Sequence, residues 1–133
     1  MRYLSPAWMD AAHRAIAADD SLRAATAGIR LTIEHVATDA PEWAAGGTIR
    51  WHIVIDDGDV ALVAGAAPRF DVRLTTDYAT AARIAAGELA AQRAFAEGRL
   101  RVGGELALLI RHQRALSGID DVLAAVRTET AGL

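Results

Sequence analysis

Histidines are the side chains of this chain that could seed a metal or an acid–base site, and there are four of them: His13, His35, His52 and His112. A zinc site brings three or four His, Cys or carboxylate ligands to one point, whereas acid–base catalysis uses a histidine held by polar partners. None of the four stands in an HxxxH or HExxH spacing. His35 and His52 could be neighbours on adjacent strands, but no third ligand accompanies them. We therefore expect structural histidines and predict neither a metal nor a catalytic residue.

Nucleophilic and cofactor chemistry finds no support among the other residue types. The chain has three serines, Ser5, Ser21 and Ser117, and none lies in the Gly-x-Ser-x-Gly turn of a serine hydrolase. It has no cysteine, and all 14 of its basic residues are arginine, which excludes thiol nucleophiles, Schiff-base lysines and a P-loop lysine. Three Asp-Asp pairs fall at the ends of elements, where capping and turns explain them: 19–20, 56–57 and 120–121. The sequence predicts no enzyme and no cofactor.

Composition places the chain among ordinary globular proteins. Its 133 residues suit one domain, and 53% of them are hydrophobic. A net charge of -3 argues against a nucleic-acid partner, which would require a basic surface. No apolar run approaches the roughly 20 residues of a membrane span, and the first residues lack an apolar secretory segment. We therefore expect a cytoplasmic protein.

Alternation and helical spacing predict the elements in order. Ser5-Pro6 opens a first helix whose apolar stripe is Trp8, Met9, Ala12 and Ile16. Alternating residues then predict four strands, at 29–34, 48–55, 60–64 and 70–75, the third following an Asp-Gly hairpin turn. Asp77 or Thr76 caps a helical pair that Gly87 divides.

The last part of the chain is predicted to alternate helix, strand and helix. Leu100 and Val102 lie on one face of a fifth strand, and Gly103-Gly104 reverses the chain in a tight turn. A helix starts at Glu105, breaks at residues 116–119, and is followed by a terminal amphipathic helix. The predicted class is α+β, with about five strands in a mainly antiparallel sheet and helices covering one face.

One stretch of this pattern is similar to a known family. The string Phe95-x-x-Gly98-x-Leu100-x-Val102-x-Gly104, followed by an apolar helix, resembles the sterol carrier protein type two family, and the opening residues 3–8 look like those of bacterial members. The resemblance implies a single lipid-binding domain over 1–133, with an apolar tunnel between sheet and helices. It implies a sterol, fatty acid, phospholipid or acyl chain as ligand, and no catalytic residue.

Apolar side chains on the predicted strands and closing helices are the candidates for contact with that ligand: Trp51, Phe95, Leu106, Leu109, Ile110, Val122, Leu123 and Val126. Each of them could instead simply pack in the core, because helical apolar stripes are usually buried faces. The expected mechanism is reversible sequestration, with the carboxy-terminal helix as the gate. The ligand's identity and the oligomeric state stay open.

Two alternatives remain at this stage, besides an enzyme acting inside the tunnel, which would need a buried histidine or carboxylate with a shifted pKa that the sequence does not show. Four arginines are predicted on the uncovered face of the sheet, where they could give transient contact with an anionic membrane or bind a ligand phosphate: Arg50, Arg73, Arg99 and Arg101. Cross-strand pairing with Glu34 and Asp71 is the interpretation we favour. The alternative function is an accessory protein-interaction or oligomerisation domain with a filled core and no lipid ligand.

Overall fold

A five-stranded sheet forms the centre of the computed structural model, which describes residues 2–131 and the side chains of residues 2–126. The strands in this range are β1 (Arg30–Thr38), β2 (Ile49–Asp56), β3 (Asp59–Ala64), β4 (Val72–Asp77) and β5 (Leu100–Gly104). The α-helices are α1 (Pro6–Ala17), α2 (Asp20–Ala25), α3 (Tyr78–Ala85), α4 (Ala91–Ala96), α5 (Leu106–Arg111) and α6 (Gln113–Ala131). A short 3-10 turn at Ala45–Gly47 precedes β2.

The order of strands across the sheet is β3-β2-β1-β4-β5, and every neighbouring pair is antiparallel except β1 and β4, which are parallel. This confirms the predicted α+β class and the mainly antiparallel sheet. Asp57 and Gly58, both at positive φ, form the predicted hairpin turn between β2 and β3. The parallel pair was not predicted, because strand spacing along a chain does not reveal which strands become neighbours.

One face of the sheet, here called the core face, packs against the helices. Its residues alternate as the sequence predicts, and Leu31, Ile33, Trp51, Ile53 and Ile55 are all buried there. The stripe predicted for α1 is buried against it as well, and Ser5 caps α1 by accepting a hydrogen bond from the Trp8 backbone N–H at 3.2 Å. Burial of these apolar groups is the main stabilising contribution.

The opposite face, here called the outer face, is covered in part by the connection from β3 to β4. The Gly65 carbonyl lies 2.9 Å from the His52 Nδ1 atom, and the guanidinium of Arg73 lies 4.2 Å from the centre of the Phe70 ring. The prediction that the fourth strand begins at residue 70 is therefore wrong. Phe70 precedes the strand and stacks on the outer face, where the cation attracts the ring.

Gly103-Gly104 is not a turn, as the sequence suggested, but the paired end of β5. Gly103 lies opposite Arg73 and Gly104 opposite Val72 in the sheet. Gly104 has a φ of 82°, and a Cβ there would clash with the carbonyl oxygen of Asp71. The glycine is needed because the strand backbone approaches its neighbour closely while in a left-handed conformation.

Replacing Gly104 by Ala is expected to lower the free energy of unfolding by about 2 kcal/mol, because steric overlap adds to an unfavourable φ. Gly98→Ala is the matched control: its φ is also positive, at 77°, but nothing lies within 4 Å of the added methyl. The control should cost about 1 kcal/mol. Urea unfolding of both variants measures the difference, and equal losses would show that the close approach to Asp71 contributes nothing.

The predicted helix break at 116–119 is also wrong. The helix is interrupted at His112, between α5 and α6, and α6 continues without a break through Ser117 and Gly118. A Cβ on Gly118 would lie 3.1 Å from the Leu22 Cδ2 atom. The glycine therefore allows α2 and α6 to approach each other, a packing role that looks like a helix breaker in the sequence alone.

Within residues 2–131, no helix combines the length and the apolar composition that crossing a membrane would require.

Candidate functional site

A cavity of about 450 Å³ lies between the core face of the sheet and the helices. The sheet contributes lining residues from four strands, among them His35, Ala37, Trp51, Ile53, Leu74 and Leu100. The facing wall comes from α3 and α6, and includes Ala81, Ile84, Ala85, Asp120, Asp121 and Leu123. The alanines matter because their small side chains leave space that larger residues would fill.

Aromatic rings form one side of the cavity. The rings of His35 and Trp51 are stacked, with centres 3.9 Å apart and planes 9° apart. Trp8 meets Trp51 edge-on at 6.0 Å, and Tyr3 meets Trp8 edge-on at 5.1 Å. Edge-to-face and offset contacts of this kind are favourable geometries for aromatic pairs, and they connect Tyr3, Trp8 and Trp51 along this wall.

The amino-terminal segment is fastened over the cavity by a tyrosine of α3. The Tyr78 hydroxyl donates a hydrogen bond to the Tyr3 carbonyl at 2.9 Å, and burial raises the pKa of Tyr78 above its ordinary value. Asp77 caps the same helix by accepting from the Thr80 backbone N–H at 3.0 Å, as the sequence predicts. Hydrogen bonds to Thr80, mainly through its side chain, lower the pKa of Asp77.

Two kinds of polar group lie among the apolar residues around the cavity: ring nitrogens and carboxyl groups. Among the described side chains, the ring nitrogens Nε1 of Trp8 and Nδ1 of His35 are buried and have no hydrogen-bond partner. Burial lowers the pKa of His35 to about 4, although the Ile33 backbone acts in the opposite direction, so the ring is neutral at pH 7. Burial, and then the neighbouring Asp121 carboxylate, raise the pKa of Asp120 to about 6.

Because His35 is neutral in the folded protein, we expect the free energy of unfolding to decrease in acid. Its pKa of about 4 in the folded protein lies below the ordinary value of 6.5, so between these values the unfolded chain binds the extra proton. Above pH 6.5 the ring is neutral in both the folded and the unfolded chain, so it does not reduce the free energy of unfolding. As the pH drops from 6.5 toward 4, protonation of the unfolded chain lowers that free energy. We expect His35→Phe, which keeps a stacked ring, to lose less stability between pH 7 and pH 4.5 than the unmodified protein.

Urea unfolding at the two pH values makes this comparison, with His112→Phe as control because His112 lies at the end of α5 outside the cavity. Asp120 acts in the opposite direction in the same range, because a raised pKa adds stability as the pH falls. Comparing variants that all retain Asp120 removes that contribution. An unchanged acid sensitivity in His35→Phe would contradict the buried neutral histidine.

The candidate ligand-contact residues fall into three groups. Trp51 and Leu123 line the cavity. Leu109, Val122 and Val126 pack in or against the hydrophobic core. The third group is exposed to solvent: the relative exposure is 48% for Phe95, 42% for Leu106 and 67% for Ile110. The buried side of α5 is instead formed by Leu108 and Leu109. Ligand contact by the eight residues stays a prediction, and the geometry favours Trp51 and Leu123.

Sequence reasoning did not select Trp8, His35 or the alanines of α3 as site residues. A signal for His35 existed, because it continues the alternation of Leu31 and Ile33 and must therefore share their face. No comparable signal marked the alanines at 81 and 85, because small helix-forming residues look alike whether they line a cavity or pack closely.

Two of the other histidines, His13 and His52, have structural partners. His13 Nδ1 accepts a hydrogen bond from the Leu62 backbone N–H at 3.2 Å, and His52 meets the Gly65 carbonyl. The strand register places His52 opposite Glu34 and His35 opposite Trp51, so His35 and His52 project from opposite faces. In the part of the chain that the structure describes, no group of three or more His or acidic residues could hold a metal ion.

On the outer face, the cross-strand charge pairing is confirmed for two of the four arginines. The Glu34 side chain is 1% exposed and receives Arg50 Nη1 at 3.4 Å from β2 and Arg73 Nη2 at 3.2 Å from β4. Arg99 lies 3.8 Å from the Glu97 carboxylate. Asp71 has a different role from the one expected, because its carboxylate accepts the Thr32 backbone N–H at 2.7 Å.

Comparison with known proteins gives matches along most of the chain. Residues 10–117 match the model of the SCP-2 sterol transfer family. No curated protein matches the sequence significantly. Among solved structures, a conserved hypothetical protein from Thermus thermophilus has a TM-score of 0.74 and 21% identity, covering 95% of this chain and 90% of that one. A crystal structure of sterol carrier protein 2 has a TM-score of 0.74 and 20% identity, covering 92% and 98%.

The same fold occurs inside a larger enzyme. The stereoselective inverting sec-alkylsulfatase from a Pseudomonas species matches with a TM-score of 0.54 and 19% identity, covering 81% of this chain but 14% of the sulfatase. At sequence identities of 19 to 21%, these structural matches show that the fold is shared.

Proposed function

Because the chain belongs to the SCP-2 sterol transfer family, we propose that it binds a hydrophobic molecule reversibly in the cavity and carries it between lipid surfaces without catalysing a reaction. The ligand classes are a sterol, a fatty acid, a phospholipid or another acyl chain. The observation that carries the proposal is the cavity of about 450 Å³ between sheet and helices.

The size and lining of this cavity suit such a ligand. Small-molecule sites typically measure roughly 300 to 1,000 Å³ and are mostly apolar. Burying one methylene is worth about 0.8 kcal/mol, so ten of them contribute roughly 8 kcal/mol before the costs of association are subtracted. A longer tail lying against Trp51, Leu74 and Leu123 would bury more methylenes and gain about 0.8 kcal/mol from each to offset those costs.

We propose that α6 is the gate. It contributes Asp120, Asp121, Leu123 and Ala124 to the cavity wall and packs on α1 and α2. Moving a terminal helix disturbs fewer interactions than opening a central strand. Access at α6 would let the ligand enter without disrupting the sheet.

The extent of the domain, its location and its contact with membranes are part of the same proposal. Residues 1–133 form a single carrier domain that works in the cytoplasm and meets membranes transiently to exchange its ligand. Cell fractionation with immunodetection of the untagged protein checks the location.

The alternative, a protein-interaction or oligomerisation domain, has one observation in its favour. Phe95, Leu106 and Ile110 are exposed apolar side chains on α4 and α5, which a partner protein could cover. That hypothesis required a filled core, however, and the cavity favours the carrier instead.

A vesicle transfer assay tests the proposal. Donor phosphatidylcholine vesicles carry a pyrene-labelled lipid, acceptor vesicles carry none, and loss of excimer fluorescence reports transfer. We expect the rate to increase in proportion to protein concentration. If transfer stays at the spontaneous rate and the uncharged dye N-phenylnaphthylamine also fails to bind, the carrier function is wrong.

A further inference from the structure

We propose that α5 is a docking helix that lies on the surface of an anionic lipid bilayer, with Leu106 and Ile110 inserted among the lipids and arginines at its carboxyl end in contact with the headgroups. The inference rests on the proposed function, because a carrier must meet a membrane to exchange its ligand, and it assigns the surface that does so. It comes from the exposed face of α5, from the charges beside it and from its junction with α6.

The outward side of α5 is apolar. Leu106 and Ile110 are four residues apart, so they lie on the same side of the helix, and they are 42% and 67% exposed. Leu108 and Leu109 point the other way and pack against the core, which orients the helix with the exposed pair outward. Burial of this pair among lipid tails would remove apolar surface from water.

This concentration of exposed apolar groups sets α5 apart from the other elements. Among the described residues, the exposed large apolar side chains are Val63, Phe70, Phe95, Leu106 and Ile110. Phe70 stacks against a guanidinium group, while Val63 and Phe95 each stand alone on their elements. A single exposed apolar residue is ordinary on a protein surface, whereas two on one side of a short helix suggest contact with an apolar phase.

Arginines follow the apolar pair. Arg111 ends α5 and Arg114 lies in the first turn of α6; both are exposed, and neither forms an ion pair within the described residues. Glu105 precedes α5, so residues 105–114 carry two guanidinium groups against one carboxylate. Each basic group close to an anionic membrane increases affinity by a factor on the order of five. The charge beside the apolar pair is therefore complementary to anionic headgroups.

The same features favour a bilayer over a protein partner. A stable protein interface uses roughly 20 to 30 residues a side, with aromatic residues enriched at its centre. Leu106 and Ile110 are aliphatic, and the arginines that follow them have no acidic partner in the described part of the chain. A small apolar face with arginines beside it is typical of helices that lie at a membrane interface.

The junction of α5 with α6 connects the docking helix to the proposed gate. One residue, His112, separates the end of α5 from Gln113, where α6 begins. Leu123, which lines the cavity, lies about 15 Å along α6 from Gln113 at 1.5 Å per residue. Docking at α5 therefore holds the start of the gate helix at the lipid surface, and a ligand that leaves the cavity at α6 has a short path into the bilayer.

Vesicle flotation of the full chain tests the proposal, with phosphatidylcholine vesicles that contain about one-third phosphatidylglycerol. Leu106→Ser with Ile110→Ser should weaken vesicle binding at least tenfold. The Kd for N-phenylnaphthylamine should stay unchanged, because neither residue lines the cavity. Val63→Ser is the matched control: Val63 is also exposed, but it lies on β3, at the opposite edge of the sheet from β5, and its loss should not affect vesicle binding.

Equal vesicle binding by the double variant and the control, or no binding by the unmodified protein, would overturn the docking inference. The dye separates this failure from that of the proposed function, because dye binding by the unmodified protein leaves the carrier standing. A dimer that the double variant abolishes, seen by native mass spectrometry and combined with unchanged vesicle binding, would assign the patch to a second copy of the chain instead.

The contribution of the arginines is measured separately. Arg111→Gln should weaken binding to the phosphatidylglycerol vesicles about fivefold and change binding to pure phosphatidylcholine little. Arg14→Gln is the control, because it removes the same charge from an exposed position on α1, which packs on β3. Equal losses in the two variants would show an effect of net charge alone and contradict headgroup contact at the end of α5.

Discussion

Replacing Ala85 by Trp is expected to weaken the binding of N-phenylnaphthylamine and of lipid ligands by roughly a hundredfold. Ala85 lines the cavity from α3, and an indole at this position would occupy space that a ligand needs. Excluding about four methylenes, at about 0.8 kcal/mol each, removes about 3 kcal/mol of binding energy. The fold should persist, because the added ring fills empty volume and does not displace a packed neighbour.

Ala79→Trp is the matched control for this experiment. Ala79 belongs to the same helix but is exposed and does not line the cavity, so the same substitution adds the same ring outside the site. Fluorescence titration with the dye gives Kd for both variants, and thermal unfolding shows whether each is folded. Equal affinities in folded Ala85→Trp and Ala79→Trp would place the binding site elsewhere.

The second large effect is expected at Glu34. Its carboxylate is buried on the outer face between Arg50 and Arg73, and so links β1 to both neighbouring strands. Glu34→Ala removes both ion pairs and leaves two arginines together without their shared anion. Removing one partner of a buried ion pair typically costs 3 to 5 kcal/mol, and the half-exposed arginines place this case near the lower end, at about 3 kcal/mol.

Asp56→Ala is the control for the charge pairing. Asp56 pairs with Arg30 across the same two strands, β1 and β2, but both side chains are largely exposed. Exposed pairs contribute about 0 to 1 kcal/mol, so the control should lose much less stability in urea unfolding. A loss in Glu34→Ala no larger than in Asp56→Ala would show that the buried pairs do not stabilise the sheet.

The fold was largely predictable because its elements carry local signals. Alternation in β2 and the Asp57-Gly58 turn determine a hairpin from a few neighbouring residues, and Ser5 and Asp77 mark helix starts by their side-chain chemistry. Gly104 and Gly118 were misinterpreted for a common reason. Each is a glycine because another backbone or side chain approaches it, and that partner is distant in the sequence.

The site was predictable in kind but only partly in its residues. An apolar stripe shows that a helix buries one face, but it does not show whether a side chain or a space lies opposite. Trp51 and Leu123 line the cavity, whereas Ile110, in a similar stripe, is exposed. The cavity arises where α3 presents small residues to the sheet, and that depends on the position of the helix in three dimensions.

Native mass spectrometry of the protein purified under gentle conditions, followed by solvent extraction of bound material, tests the central claim most directly. The account predicts a stoichiometric hydrophobic molecule that co-purifies with the unmodified protein and is lost from Ala85→Trp. Extraction then identifies the ligand class. A mass corresponding to protein alone, together with no binding of added lipid or dye, would contradict the carrier function.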